Sequence, residues 1–284
     1  MPIDVEVMIV SYGSAADVEA CLTSIASAAP TARVALREHG DAAAFEQLLD
    51  VARAASVPTR VEHDPANPGF GAGCNALADA STAAWFLFLN PDARLVSWPW
   101  ETEPIEPPAV VGPVYTAADD HHRGRTYRIR DEVGRSWFRR SGPPPDGRGF
   151  VSGAALLIDA ATFRRIEGFD TAHFMFYEDI DLCLRANEVG TTTTIEPAWQ
   201  VEHARGHSTG ERFGDALMWS YESGCRFHAA QGSPVWTYRA YVAVDAVMRA
   251  GLHGVRRDGR RGRAYVGLAK RAFSDCVRRG RSRP

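Results

Sequence analysis

Val5-Glu6-Val7-Met8-Ile9-Val10-Ser11-Tyr12-Gly13-Ser14 starts as a run of apolar and β-branched residues and stops in a turn. Behind it Val18, Leu22 and Ile25 recur at i, i+4 and i+7, with Asp17 placed to cap them, so the spacing predicts strand, loop and helix. The cadence then repeats. Arg33-Val34-Ala35-Leu36 runs through Glu38-His39-Gly40-Asp41 into an amphipathic segment carrying Phe45, Leu48, Leu49 and Ala52. Thr59-Arg60-Val61-Glu62 ends at Asp64-Pro65-Ala66-Asn67-Pro68-Gly69, and a glycine-rich helix is predicted over 70–82. Strands alternating with helices of about ten to fifteen residues predict a parallel α/β sheet. Ligands of such sheets sit beyond the carboxyl ends of the strands.

Further along, Ala84-Trp85-Phe86-Leu87-Phe88-Leu89 is apolar without alternation, as a strand covered on both faces must be, and it stops at Asn90-Pro91-Asp92. Residues 116–149 are polar, rich in Arg and Gly, and hold Pro143-Pro144-Pro145, which predicts a long irregular excursion. A buried strand is expected from Val151 to Ile158, then a short helix, and another β-branched strand from Thr191 to Ile195 before the turn Glu196-Pro197. From about 211 onward the pattern is helical, with Trp219, Tyr221, Phe227, Trp236, Tyr238 and Tyr241 preceding an Arg-rich end. The expected organisation is an α/β domain over 1–210 and a helical, basic extension over 211–284.

The 284 residues have the composition of a globular protein, and the five cysteines are scattered without a C-x-x-C pair, which excludes a disulfide framework or cysteine zinc site. A reducing cytoplasm is the expected setting. No basic and apolar leader precedes the first strand, and no window of about eighteen residues is uninterruptedly apolar, so neither a signal peptide nor a membrane span is expected. The net charge of −3 hides an asymmetry. Residues 249–284 carry 12 Lys+Arg against Asp258 and Asp275, which leaves 20 Lys+Arg against 33 Asp+Glu in residues 1–248. A basic tail on an acidic body points to a polyanionic partner, either an anionic membrane leaflet or a nucleic acid, with a solvated helix face as the alternative. No nucleic-acid reading motif accompanies the arginines, so no nucleic acid is expected.

Three groups carry chemistry. Asp92 stands at the exit of a buried strand, where a carboxylate is costly without a partner; a hard divalent ion bridging a diphosphate needs only one or two such carboxylates, although a turn cap after Pro91 would use the same residue. Phe174-Met175-Phe176-Tyr177-Glu178-Asp179-Ile180-Asp181 delivers three acids at a helix start, more than capping requires, and an Asp at that mouth can accept a proton from an incoming hydroxyl. His203, in Val201-Glu202-His203, gains weight from falling at the end of a strand like the other two, since a lone His is more often structural.

These segments together resemble the ordered motifs of family 2 glycosyltransferases, particularly the rhamnosyltransferase-like and galactofuranosyltransferase-like branch: residues 7–25, Asn67 to Asn75, Phe88 to Ala93, Val151 to Ile158, Gly168-Phe169-Asp170, Phe176 to Arg185 and Val201 to His203. The resemblance spans about residues 5–210. It implies a GT-A fold, a mixed, mostly parallel sheet flanked by helices, and an inverting, metal-dependent transfer from a UDP- or dTDP-sugar to a hydroxyl of a glycan or lipid-linked acceptor in polysaccharide synthesis. By the same resemblance Asp179 is the catalytic base, and Asp92 and His203 hold Mn²⁺ or Mg²⁺ with the diphosphate. Ser11, Tyr12, Glu38, Asn67, Gly71, Gly73, Asn75, Asn90 and Glu178 line the donor site. Relatives carry V-D-N-x-S after the second strand, whereas this chain has Leu36-Arg37-Glu38-His39-Gly40, so Glu38 stands where their base-contacting Asp would be. The glycines at 71 and 73 have a second reading as close helix–strand packing. A catalytically silent binding protein on the same scaffold is the alternative function. The setting this implies is cytoplasmic, peripheral at the inner membrane face through the basic tail.

Overall fold

The computed structural model describes residues 2–107, 109–116, 123–124, 149–203 and 212–278. Most of the excursion expected over 116–149, and the last arginines of the tail, lie outside them. The described chain divides into two compact units, the first reaching Thr116 and continuing through 123–124, 149–171 and 178–203, the second formed by 172–177 and 212–278. The short segment Ala172–Tyr177 thus belongs with the C-terminal helices, a membership that a boundary at 210 does not anticipate.

In the first unit β1 (Val5–Ser11), α1 (Ala15–Ala28), β2 (Arg33–Glu38), α2 (Ala42–Ala54), β3 (Thr59–His63), α3 (Phe70–Asp79) and β4 (Trp85–Leu89) follow the predicted alternation. Asp17 falls inside the first turn of α1 instead of capping it, while Asp41 caps α2 by accepting the Ala44 N–H at 2.9 Å. Next come β5 (Ala93–Ser97), a 3-10 turn at Pro99–Glu101, β6 (Ala109–Tyr115), β7 (Arg123–Gly124), β8 (Phe150–Val151), β9 (Ala155–Asp159), α4 (Ala160–Arg165), α5 (Glu178–Glu188) and β10 (Thr192–His203). The main sheet has eight strands in the order β3-β2-β1-β4-β9-β6-β10-β5. β3, β2, β1 and β4 are parallel; β9 runs antiparallel to β4 and β6, and β5 antiparallel to β10. The sheet is therefore mixed. β1 has neighbours on both sides that succeed it in sequence, which opens a crevice beyond its carboxyl end.

Two sequence expectations change. The strand expected from Val151 to Ile158 is two, because Ser152-Gly153-Ala154 turns the chain, with the Ala155 N–H donating to Ser152 O at 3.2 Å. Ser-Gly is a turn signal that the apolar run around it conceals. The turn expected at Glu196-Pro197 is instead an irregularity within one strand of twelve residues, β10, whose pairing with β6 shifts between Glu196 and Gln200. Pro197 cannot donate to a ladder, and the register shift absorbs it.

Both faces of the sheet are covered, which explains the unalternating β4. Trp85, Leu87 and Leu89 join Val5, Val7, Ile9, Val18, Leu22, Ile25, Trp98, Trp100 and Trp199 in one core. Phe86 and Phe88 face the other way onto Phe163 of α4, with ring centroids 5.5 and 5.1 Å away. At one edge, β3 is laced by ion pairs: Arg60 to Glu6 (2.9 Å) and to Glu62, and Arg37 to Glu62 (2.7 Å) and Asp64 (2.8 Å).

The second unit holds α6 (Phe213–Ala230), α7 (Val235–Val255) and α8 (Gly259–Arg278). Its interior is aromatic: Tyr177 Oη lies 3.0 Å from Tyr238 Oη, and Phe227 and His228 pack on both rings' surroundings. A Cβ on Gly224 would overlap the Tyr238 hydroxyl, so α6 and α7 approach only because that position has no side chain.

Candidate active site

β5 and β10 pair with His203 opposite Ala93, which sets the imidazole beside Asp92. His203 Nε2 is 3.1 Å from Asp92 Oδ1, and Asn90 Nδ2 is 3.4 Å from the same nitrogen. Asp92 is 3% exposed, so its carboxylate is buried with the imidazole as a partner. Arg94, which sequence reasoning passed over, fastens this turn by donating from Nη1 to Pro91 O (3.0 Å) and Ala93 O (2.9 Å). A proton on Nε2 joins the pair as it stands; with that proton removed, a carboxylate oxygen and an imidazole nitrogen converge on one point. Among the described residues no group of three or more His, Cys, Asp or Glu could hold a metal ion. The donor set therefore fits a cation that takes most of its ligands from phosphate and water, and does not fit one caged by protein alone.

The catalytic-base candidate is tied to the same place. Asn90 donates its N–H to Ala154 O at 2.9 Å, and the next residue back, Gly153, donates its N–H to Asp179 Oδ2 at 2.9 Å. One turn, Ser152-Gly153-Ala154, thus anchors both the Asn90–Asp92 segment and Asp179. Asp179 is partly exposed and its Oδ1 accepts the Ile180 N–H at 2.8 Å at the start of α5. A side chain at Gly153 would approach Asp179 Cβ and the Phe70 ring. Phe176 and Tyr177, just before α5, both have φ of 70°, a left-handed conformation that costs about 1–3 kcal/mol per residue and persists only where surrounding structure enforces it.

Glu178 differs sharply from its neighbour. Burial, and then the charge of Asp179, push its carboxyl well above the usual range, and its Oε2 meets no partner among the described residues. Asp181 is buried and bound by Arg185 at 2.7 Å, so of the three acids Asp179 is the one that is partly exposed. Burial also raises the Cys21 and Cys183 thiols to about 12, which removes them as nucleophiles.

On the β1 and β2 side, Ser11 is buried at the strand end and Tyr12 is exposed on the loop. Glu38 is 0% exposed, and its Oε1 accepts the N–H groups of Gly13 (2.8 Å) and Gly40 (2.6 Å). Through Oε1 the carboxylate clamps two loops, while its buried Oε2 meets no partner among the described residues. Gly73 and Gly71 serve close packing, since a Cβ at 73 would lie 2.7 Å from His39 Nε2 and one at 71 would lie 2.9 Å from Phe169 Cβ. Asn75, expected in the donor pocket, is engaged with backbone on both sides, its Nδ2 donating to Phe169 O and its Oδ1 accepting the Phe169 N–H, each at 2.9 Å. Asn67 takes a left-handed φ of 48° in the turn before α3.

This architecture is shared with glycosyltransferases of the GT-A fold. The chain superposes on the mannosyltransferase PcManGT from Pyrobaculum calidifontis, solved with GDP-Man and Mn²⁺, with a TM-score of 0.55 at 15% identity over 97% of this chain and 90% of that one. It superposes on GalNAc-T7, solved with UDP, GalNAc and Mn²⁺, with a TM-score of 0.54 at 11% identity over 71% of this chain and 43% of that one. The chain has the GT-A fold. In sequence it is similar to rhamnosyltransferases: it is 36% identical over 80 residues to rhamnosyltransferase WbbL of Escherichia coli, covering 28% of this chain and 30% of the relative. It is 32% identical over 117 residues to the N-acetylglucosaminyl-diphospho-decaprenol L-rhamnosyltransferase of Mycobacterium tuberculosis, covering 38% of each. The matched segments thus span only about a third of the length of these curated relatives. No protein-family model matches the chain.

Proposed function

We propose that the chain is an inverting glycosyltransferase that moves a sugar, of which L-rhamnose is the first to test, from a nucleoside-diphospho-sugar to a hydroxyl of a lipid-linked glycan acceptor. The observation that carries this reading is the common anchorage of Asp179 and of the Asn90–Asp92 segment on the Ser152–Ala154 turn, with His203 closing on Asp92. In the reaction, Asp179 accepts the acceptor's hydroxyl proton. The acceptor oxygen bonds to the anomeric carbon from the face opposite the diphosphate, and the bond from that carbon to the diphosphate oxygen breaks with its electron pair leaving on the nucleoside diphosphate. Asp92 and His203 would hold a divalent cation, which when bound supplies charge stabilisation to the departing diphosphate. Glu38, by holding the amides of Gly13 and Gly40, shapes the wall against which a uracil or thymine base rests. Support comes from the fold shared with sugar-nucleotide-bound enzymes and from the rhamnosyltransferase similarity.

The test separates binding from chemistry. Calorimetry with UDP- and dTDP-sugars and Mn²⁺, paired with a transfer assay, is run on Asp92→Ala, His203→Ala and Asp179→Asn. The first two should lose metal-dependent donor binding. Asp179→Asn cannot act as a base at neutral pH, so it should bind donor normally while transfer falls by on the order of 10²-fold or more. Loss of donor binding in Asp179→Asn would overturn its assignment as base, and donor binding by the wild type without any transfer would leave a binding protein in place of an enzyme.

A further inference from the structure

The longest helix among the described residues carries its polarity the wrong way round for water. α7 turns Val235, Tyr238, Val242 and Ala246 inward, as any packed helix would. Its charged residues lie beside that inward face, with Arg249 Nε 2.7 Å from Asp245 Oδ2 and Arg239 Nη1 donating to Asp275 O at 2.9 Å. The outer side presents Trp236 (59% exposed), Val244, Val247 (62%), Met248, Leu252 and Val255 (84%). At helical spacing Trp236, Ala240, Val244, Val247, Gly251 and Val255 form one stripe without a charged residue in it.

α8 runs antiparallel alongside: Trp236 O lies 4.0 Å from Cys276 Sγ at one end, and the His253 and Tyr265 rings stack at 5.5 Å toward the other. Its exposed Arg263, Val266, Lys270, Phe273 and Val277 recur at spacings of three and four, and exposed Arg256 and Arg257 follow directly on α7. The acids of this segment, Asp245, Asp258 and Asp275, are ion-paired with Arg249, Arg261 and Arg271, and the exposed charges Arg256, Arg257, Arg263 and Lys270 bordering the apolar stripe are cationic. No helix of the described residues is long and apolar enough to cross a membrane, so this pair is built to lie on a surface.

We propose that the outer face of α7, with Val266, Phe273 and Val277 of α8, inserts into the headgroup region of an anionic lipid bilayer, with Arg256, Arg257, Arg263 and Lys270 on lipid phosphates. Charge complementarity selects this occupant. The same face of a second copy would offer the same stripe and the same cations, its acids already paired with arginines of their own segment, whereas an anionic bilayer offers hydrocarbon to the stripe and phosphate to its border. The aromatics followed by Arg clusters lead the sequence to expect amphipathic helices on a membrane over residues 236–284; the structure adds which face is apolar and exposed, the outer side of α7. The proposal is independent of the glycosyl-transfer reading and needs neither donor nor metal.

Vesicle sedimentation of the full chain tests it. Binding to phosphatidylcholine vesicles containing phosphatidylglycerol, weaker binding to phosphatidylcholine alone, and weakening by salt are expected. Val247→Glu combined with Leu252→Glu should reduce binding by about tenfold or more, and Val255→Glu alone should reduce it in the same direction. Arg256→Gln with Arg257→Gln should narrow the difference between the two vesicle types. All these side chains are exposed, so circular dichroism and melting should not change. Absence of binding to the anionic vesicles, or binding indifferent to the α7 glutamates, overturns the proposal. So does a concentration-dependent dimer abolished by those glutamates in a chain that ignores vesicles, because the face would then belong to a second copy.

Discussion

Glu178 and Asp179 are adjacent carboxyls in opposite environments, one buried with an oxygen that meets no partner among the described residues and the other accepting two backbone N–H groups. The difference has a thermodynamic signature. A carboxyl whose folded pKa is raised binds a proton more tightly in the folded state, so its stabilising contribution is fully present below the ordinary value of 4.5 and is lost as pH rises from there through the folded value. Glu178→Gln should therefore melt close to wild type in acid and above it at neutral and alkaline pH, as read by calorimetric melting across the pH range. A constant offset at all pH values would show that Glu178 is not raised. At this scale the sequence was informative about identity and silent about exposure. Asp92, Asp179 and His203 stand out in the sequence as polar residues beside apolar runs, and the structure sets His203 against Asp92 and ties Asp179 to the turn that also holds Asn90. The clamps made by Glu38 and Asn75 were not legible, because their partners are backbone groups, which every residue offers equally.

Elements were legible wherever one hydrophobic period ran uninterrupted, as in the parallel half of the sheet from β1 to β4. They were misread where a turn sits inside an apolar run, between β8 and β9, or where a proline is absorbed by a register shift, in β10. α3 gives the sharpest test of what the glycine-rich segment does. If Gly73 is there to let α3 settle on β1 and β2, Gly73→Ala must push against His39 and the Val10 side chain, whose Cγ2 would lie 2.9 Å from the new methyl. Overpacking of this kind costs about 1–3 kcal/mol, so the variant should melt earlier while the affinity of the remaining folded fraction for donor nucleotide is little changed. A lost affinity with unaltered melting would return Gly73 to the donor pocket. The left-handed pair Phe176 and Tyr177 had no sequence signal at all, since aromatic residues rarely adopt that conformation and nothing in their type announces it.

For the whole molecule, the α/β body followed by helices could be read from the change of period near residue 211, while the return of Ala172–Tyr177 to the helical unit could not, because membership of a unit depends on contacts distant in sequence. The eight-stranded sheet is open, and an open sheet has borders. β3 forms one of them, and its outward backbone groups are a template for a strand from any passing chain. The guanidinium and carboxylate groups of Arg60, Glu62, Arg37 and Asp64 hold that border in a charged lattice, a poor partner for another molecule's hydrophobic strand. Replacing Glu62 by valine should leave the native fold's melting within about 1 kcal/mol of wild type, since Arg60 keeps Glu6 and Arg37 keeps Asp64, and partly exposed ion pairs contribute little. It should nevertheless shorten the time to turbidity in a concentrated solution held below the melting temperature, followed by light scattering. An unchanged time to turbidity would mean that the lattice guards nothing. What these ion pairs govern, on this account, is shelf life: how long a crowded solution of the protein stays clear.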